Sequence, residues 1–317
     1  MGGELTAWTL AALQALLFII TAPLLAGWLK RVRCHMQNRG APPLWQPYRD
    51  LAKLIGKKVV LAENASWLFR AVPYIAFGAT LLAAAVVPLL ALHLPTAALA
   101  DAIVMVAFLA LARFFTALAA LDVGTAFGGM GASREMMVSA LAEPTMLMAL
   151  FTLSMTANST NLSVASDHVL QTGLVLRPSF FFALFALAMV AVAETGRIPI
   201  DNPATHLELT MLHEAMILEY SARHLALIEW ASSLKLFAYL TLGIALFVPH
   251  GIAEVGNWAG LPLAIAGLLL KLMLAGAGLA LLETLSAKMR IFRAPEFLGT
   301  AFLLAVLGLL IHFLLGA

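Results

Sequence analysis

Long apolar runs separated by polar connections make up most of this chain. Eight runs stand out, near residues 5–29, 71–93, 98–120, 136–157, 178–196, 233–250, 260–283 and 296–316. Most are close to the length at which a helix rising about 1.5 Å per residue crosses a hydrocarbon core of about 30 Å. The runs are continuous and do not alternate, so they predict helices and not the strands of a membrane barrel. The pattern therefore predicts an all-α polytopic membrane protein with about eight transmembrane helices, forming a single membrane-embedded domain over residues 1–317. The first run is longer than the apolar core of a signal peptide, and Glu4 stands where a basic start would be, so it is read as a retained helix.

An even number of spans puts both termini on one side. Of the 19 lysines and arginines, nine lie in the 30–70 connection, and seven more (Arg134, Arg197, Arg223, Lys235, Lys288, Arg290 and Arg293) fall on the same side. Basic residues accumulate on the cytoplasmic side of membrane proteins. The long connections 30–70 and 197–232 are thus expected to face the cytoplasm and the termini the opposite side. Polar mass concentrated on one face suggests that something docks there.

Composition agrees with the pattern and narrows the chemistry. The chain is 62% hydrophobic and 11% charged, against about 25% charged in soluble domains. Its one cysteine, Cys34, forms no internal disulfide and does not supply the roughly four thiolates of an iron–sulfur cluster. His206 and His213 are seven residues apart, about 10 Å along a helix, and match no metal-binding motif. No metal site or phosphate-binding glycine pattern is expected, and any redox centre is expected in a partner.

Charges inside apolar runs are costly and mark candidate sites. Arg113 and Glu143 lie at similar depths in the third and fourth runs, where they are placed to pair. That pair either fixes helix register or holds a proton-accessible carboxylate. Lys271, near the middle of the seventh run, is either part of a proton relay or a plain interhelical hydrogen-bond donor. Glu283, at the end of the same run, joins the candidate proton path. Asp101, near the outer end of a run, reads as an exposed residue.

The segment 194–230, ETGRIPIDNPATHLELTMLHEAMILEYSARHLALIEW, gathers six of the 17 carboxylates with two arginines. From about Ala204 to Glu229 it lacks proline and glycine and consists mostly of good helix formers; if one helix is unbroken there, Glu208 and Glu219 lie on one side, and Glu219 is spaced to pair with Arg223. Met211, Leu212, Met216, Ile217 and Leu218 wrap more than one face. The segment is therefore expected to fold among other helices, its acids in a shared polar cavity, the alternative being an interfacial helix with solvated acids. Carboxylates so clustered cannot all ionise favourably, which suits them to bind and release protons.

Several of these stretches resemble one family. HMQNRGAPPLWQPYRDLAKLIGKK (35–58) is similar to the first cytoplasmic loop of the quinone-site membrane subunit of respiratory complex I and of its relatives in energy-converting hydrogenases. LDVGTAFGGMGASREMMVSALAEP (121–144), AETGRIPID (193–201) and EYS (219–221) resemble the branch containing the membrane subunits of formate hydrogenlyase and hydrogenase-4 complexes. The resemblance covers nearly the whole chain. It implies a subunit without catalytic residues or cofactors of its own. It also implies hydrogenase-like large and small subunits, an iron–sulfur subunit and antiporter-like membrane subunits as partners, in a bacterial inner membrane and with no nucleic acid. Iron–sulfur clusters and a nickel–iron centre would sit in those partners, and a quinone site is the alternative. Arg39, Asp50, Arg134, Glu143, Glu194, Arg197, Asp201 and Glu219 fall on the family's motif positions, whereas Glu208 and Glu214 fall at a different spacing. With the charges inside the runs, the candidate proton path is Glu143, Glu194, Asp201, Glu208, Glu214, Glu219, Arg113, Lys271 and Glu283. The implied docking residues are Arg39, Asp50, Lys53, Arg134, Arg197 and Arg223. His206 and His213 stand where the family carries acidic or neutral residues.

Overall fold

The computed structural model describes residues 2–92, 94–172, 177–198, 200–201, 212–252, 260–287, 289 and 291–315. Its elements run α1 (Gly2–Met36), α2 (Gln46–Ile55), α3 (Trp67–Val86), α4 (Ala102–Asp122), α5 (Ala126–Thr156), α6 (Leu162–Thr172), α7 (Pro178–Glu194), α8 (His213–Ile217), α9 (Ala222–Phe247), α10 (Leu261–Leu285) and α11 (Ala294–Leu315). Two short 3₁₀ turns, Pro95–Leu99 and Ile291–Arg293, complete the helical elements among the described residues. Seven of these helices are long and apolar enough to cross a membrane. The fifth expected span is α7, at 17 residues the shortest of the eight apolar helices. The chain is a multi-pass helical membrane protein.

Packing follows where the small residues lie. α5 and α7 pack against each other and against α11, while α3 is seated between α4 and α9. α1 runs along α9 and α10. The main buried cluster is built largely from alanine and leucine, with Phe18 against Phe237 and Met105, Met146 and Leu150 filling the centre. α10 and α11 turn large apolar residues outward, including Leu263, Leu274, Leu303 and Leu314, as helices facing lipid do.

Prolines interrupt α1 at Pro23 and α3 at Pro73. A helical proline has no N–H for the carbonyl four residues earlier. Those carbonyls belong to Ile19 and Phe69. The indole Nε1 of Trp230 donates to Ile19 at 3.1 Å, and the hydroxyl of Tyr220 donates to Phe69 at 3.1 Å. The region around α9 thus supplies donors that the two prolines remove, and this ties both interrupted helices to it.

The polar connections gather at the two ends of the bundle. At one end Val60 and Ser221 exchange two hydrogen bonds, Ser66 N–H donates to Asp122, and α2 lies against α9 and α1. At the other end Asp101 caps α4 through Ile103 N–H at 2.7 Å and accepts from Thr160 at 2.6 Å. Asp101 is a half-buried helix cap and not the exposed residue expected.

The acidic segment departs from one unbroken helix. Residues 202–211, with His206, Glu208 and Met211, lie outside the described residues. After them α8 lasts five residues, and the chain turns at 218–221 before α9 begins at Ala222. Ala222 has φ +50°, a left-handed conformation that a helix interior does not contain. The break is fixed by Tyr220, whose ring stacks on Phe69 at 3.9 Å, and by Ser221, which is hydrogen-bonded to Val60. Tertiary partners here outweigh the helix propensity of the segment. Glu219 is therefore in a turn and exposed, and Arg223 is exposed in the first turn of α9, so the two are not a pair along one helix.

Candidate functional site

The end of α7 shows how the sequence builds the site. Arg197 N–H donates to Val192 and Gly196 N–H to Ala193, with Gly196 at φ +59°. This is the Schellman closure, in which a left-handed residue, usually glycine, ends the helix. The Glu-Thr-Gly-Arg sequence thus leaves Glu194 in the last turn and sends Arg197 away from it. A carboxylate at a helix C-terminus is repelled by the unpaired carbonyls there. Glu194, 6% exposed, therefore needs cations from elsewhere.

Two such cations stand among the described residues. Arg113 of α4 reaches Glu194 with Nη2, and Lys235 of α9 reaches it with Nζ at 2.9 Å. Arg113 also donates from Nη1 to Glu143 of α5 at 2.8 Å, and its Nε lies 3.7 Å from Glu135 of α5. One guanidinium fork so gathers three carboxylates from two helices. Among the described residues the centre holds three carboxylates and two cations, so one added proton makes it neutral. A cavity of about 60 Å³ lies against it, and the buried Tyr239 of α9 is close enough to feel the charges of Glu194 and Arg113. Glu143 differs from its neighbours: its side chain is 37% exposed, on the flank of the bundle.

A second charged centre stands closer to the end of the bundle. Glu283 of α10, buried, is held between Arg197 at 2.5 Å and Arg33 of α1 at 3.4 Å. These groups line a cavity of about 410 Å³ together with Lys30, Asp201 and Glu214. Asp201 is buried and accepts from Leu212 N–H at 3.3 Å, a bond that joins the two residues flanking 202–211. Met216, Ile217 and Leu212 are buried, so this part of the acidic segment does fold among the helices.

The remaining sequence candidates are dispersed. Lys271 donates to the carbonyls of Val248 and His250, just past the end of α9. Arg39, Asp50, Lys53 and Arg223 are exposed at the end of the bundle that carries the long connections, and Arg134 is half-buried there. Arg197 is engaged with Glu283 inside the structure. Among the described residues, no group of three or more His, Cys, Asp and Glu is placed to hold a metal ion.

Glu135, Lys235 and Arg33 are site residues that the sequence pattern does not single out. The α1 helix runs to Met36, beyond the apolar run, and Lys235 lies 13 residues past the start of α9, not at the start of a span. For Arg33 and Glu135 the signal that could have found them is the lack of a helix breaker between the charge and the adjacent apolar run; Lys235 is itself a charge inside the run 233–250.

The sequence model of the NADH dehydrogenase family matches residues 9–314. The chain belongs to that family. Within it, the chain is 34% identical over 296 residues to formate hydrogenlyase subunit 4 of Escherichia coli (strain K12), covering 93% of this chain and 95% of that one. It is 33% identical over 306 residues to hydrogenase-4 component C of the same organism, covering 96% and 95%. Its fold matches a chain in the structure of the membrane-bound sulfane sulfur reductase, an archaeal respiratory membrane complex, with a TM-score of 0.83 at 21% identity over 95% of this chain and 98% of that one. The resemblance carried by the motifs therefore extends over nearly the whole chain. EYS, one of those motifs, is the set that positions the turn before α9, with Tyr220 and Ser221 inside and Glu219 outside.

Proposed function

We propose that this chain is the membrane-embedded coupling subunit of a redox complex of the formate hydrogenlyase and hydrogenase-4 kind. In this reading it links electron transfer in a docked cytoplasmic arm to proton or sodium movement in a bacterial inner membrane. One observation carries the proposal: ionisable groups continue from the larger cavity at Glu214, Asp201 and Glu283 to Glu194 and Arg113, and end at Glu143 on the flank. A carboxylate exposed on the side of a membrane bundle is costly against lipid. A neighbouring membrane subunit with a polar face meets that need, and antiporter-like subunits have that chemistry.

The arm docks on the end that carries Arg39, Asp50, Lys53 and Arg223, with Arg134 beside them. Its hydrogenase-like and iron–sulfur subunits supply the clusters and the nickel–iron centre that perform the redox chemistry. This chain contributes the field. A charge change in the arm alters the potential at Asp201, Glu214 and Glu283, and the Arg113 centre with its unmatched carboxylate takes up or gives back a proton. A tenfold change in proton affinity corresponds to about 1.4 kcal/mol, so a change of about 100- to 1000-fold would suffice for useful coupling.

Glu143→Gln in the intact complex tests the reading. Redox turnover is expected to persist while the ion gradient it drives is lost. Undiminished gradients at unchanged turnover would overturn the proposal.

A quinone-site role is the second reading, favoured by one feature. An apolar pocket of about 170 Å³ between α1 and α10, lined by Leu24, Leu25, Trp28, Leu269, Leu272 and Met273, has the character of a site for a lipid-like tail. Inhibition of the complex by quinone-site ligands, lost on Leu272→Trp, would support it.

A further inference from the structure

The two cavities share four lining residues among those described: Thr195, Gly196, His213 and Ser232. The larger cavity presents Asp201, Glu214 and Glu283 as carboxylates and Lys30, Arg33 and Arg197 as cations. The smaller presents Glu135 and Glu194 with Arg113 and Lys235. The shared wall is where the two sets come together among the described residues. Glycine offers only its backbone there, and the two hydroxyls hold no net charge. An imidazole accepts a proton at one nitrogen and releases one from the other. Of these four wall residues, His213 is the one whose side chain can also hold the proton, as an imidazolium.

Its position is built rather than incidental. His213 opens α8, and α8 sits directly on α5 at Gly131. A Cβ added to Gly131 would meet Ala215 Cβ and Met216 Cγ at 3.0 Å and the carbonyl of Leu212 at 3.2 Å. Ala215, Met216 and Ile217 are buried behind it, and Leu212 N–H is tied to Asp201. The glycine lets α8 approach closely, and the seat holds the imidazole at the wall while leaving it half-exposed to the cavities.

We infer that His213 is the proton-transfer group joining the larger cavity to the Arg113 centre. One ring nitrogen takes a proton from a carboxyl or water of the larger cavity. The other nitrogen gives its proton to a carboxylate or water of the smaller one, and the ring returns to its starting state by turning or by exchange. The balance is one proton in and one proton out, in either direction, with no change in covalent bonding. The inference rests on the coupling reading above.

The test uses the assembled complex in sealed vesicles. His213→Gln keeps the size and hydrogen-bonding capacity but carries no proton. Proton transfer across the wall is expected to slow about 100-fold or more, so redox turnover continues and the proton gradient per turnover collapses. His213→Ala is expected to show the same loss and to regain gradient formation with added imidazole, which the larger cavity has room to admit. Parent-level gradients in His213→Gln overturn the inference, as does a loss in His213→Ala that imidazole leaves unrepaired, since that loss would reflect a packing role. Failure of the coupling reading is distinguishable: there Glu143→Gln keeps its gradient, whereas failure of this inference alone leaves Glu143→Gln uncoupled.

Discussion

The two charged centres use the same residue types and differ in surroundings. Arg113 is a single guanidinium shared among three carboxylates, with 4% of its side chain exposed and a cavity of about 60 Å³ beside it. Glu283 is a single carboxylate between two arginines whose side chains are 22% and 19% exposed, on a cavity of about 410 Å³. Attraction between charges grows as water is excluded, and so does the penalty for leaving one without its partner. The first centre therefore depends on the guanidinium that its carboxylates share, whereas the second can lose a member and be repaired by water. A coupling device needs both kinds: a dry centre in which a distant charge is felt, and a wet one through which ions arrive.

The largest effect is expected where that contrast is sharpest. Among the described residues, Arg113→Met leaves Glu135, Glu143 and Glu194 with Lys235 alone. Removing one partner of a buried ion pair typically costs about 3–5 kcal/mol. The variant is expected to lower the thermal stability of the detergent-purified complex severely or to prevent its assembly. Arg113→Lys keeps the charge but lacks the planar fork that spans several carboxylates, so it should recover part of the loss. Near-parent stability in Arg113→Met would mean that the centre is not held together by its ion pairs.

Glu283→Gln comes next and sharpens the comparison from the other side. Arg33 and Arg197 lose a charged acceptor but face the larger cavity, where water replaces it. A hydrogen bond to a charged group is worth about 1.5–3 kcal/mol, and here the lower part of that range is expected, read from the same thermal measurement. A cost equal to that of Arg113→Met would erase the distinction between a dry and a wet centre.

The apolar architecture is legible in the sequence, because each span is a run of residues that water disfavours. Arg113 with Glu143 is legible too, since both are charges inside such runs at matching depth. Lys235, Glu135 and Arg33 are hidden because hydropathy locates the bilayer, not the helix. α1 and α5 continue past their apolar runs and α9 begins 11 residues before its own, so Arg33, Glu135 and Lys235 reach the charged centres and do not end at a helix terminus. Residues 204–229 escape for a related reason. Their local propensity is helical throughout, but Tyr220 and Ser221 have partners on α3 and in the 57–66 connection that are distant in sequence, and these break the helix. Arg197 follows the same rule. As a motif residue it suggests docking, and the glycine before it turns it inward to Glu283.

The smallest effect separates these ionic centres from the neutral device that holds their frame. Tyr220 donates to the carbonyl that Pro73 leaves without a helical partner, and its ring is stacked on Phe69. Tyr220→Phe keeps the stack and removes the donor, a change of about 0.5–1.5 kcal/mol for a neutral hydrogen bond. The pH dependence distinguishes this contribution from the ionic ones. Burial, with the negative charge of Asp122 nearby, raises the Tyr220 phenol above its ordinary value of about 10. The folded state therefore favours the protonated hydroxyl. Its contribution is fully present below the unfolded-state value and is lost as pH rises above about 10 toward the raised folded value. The parent should lose stability over that alkaline interval by an amount that Tyr220→Phe does not, so the difference between the two proteins should be constant from about pH 6 to 9 and shrink above about 10. A difference that stays constant into the alkaline range would show that the hydroxyl is not the buried donor to Phe69, and that the turn before α9 is held by Ser221 and the ring stack alone.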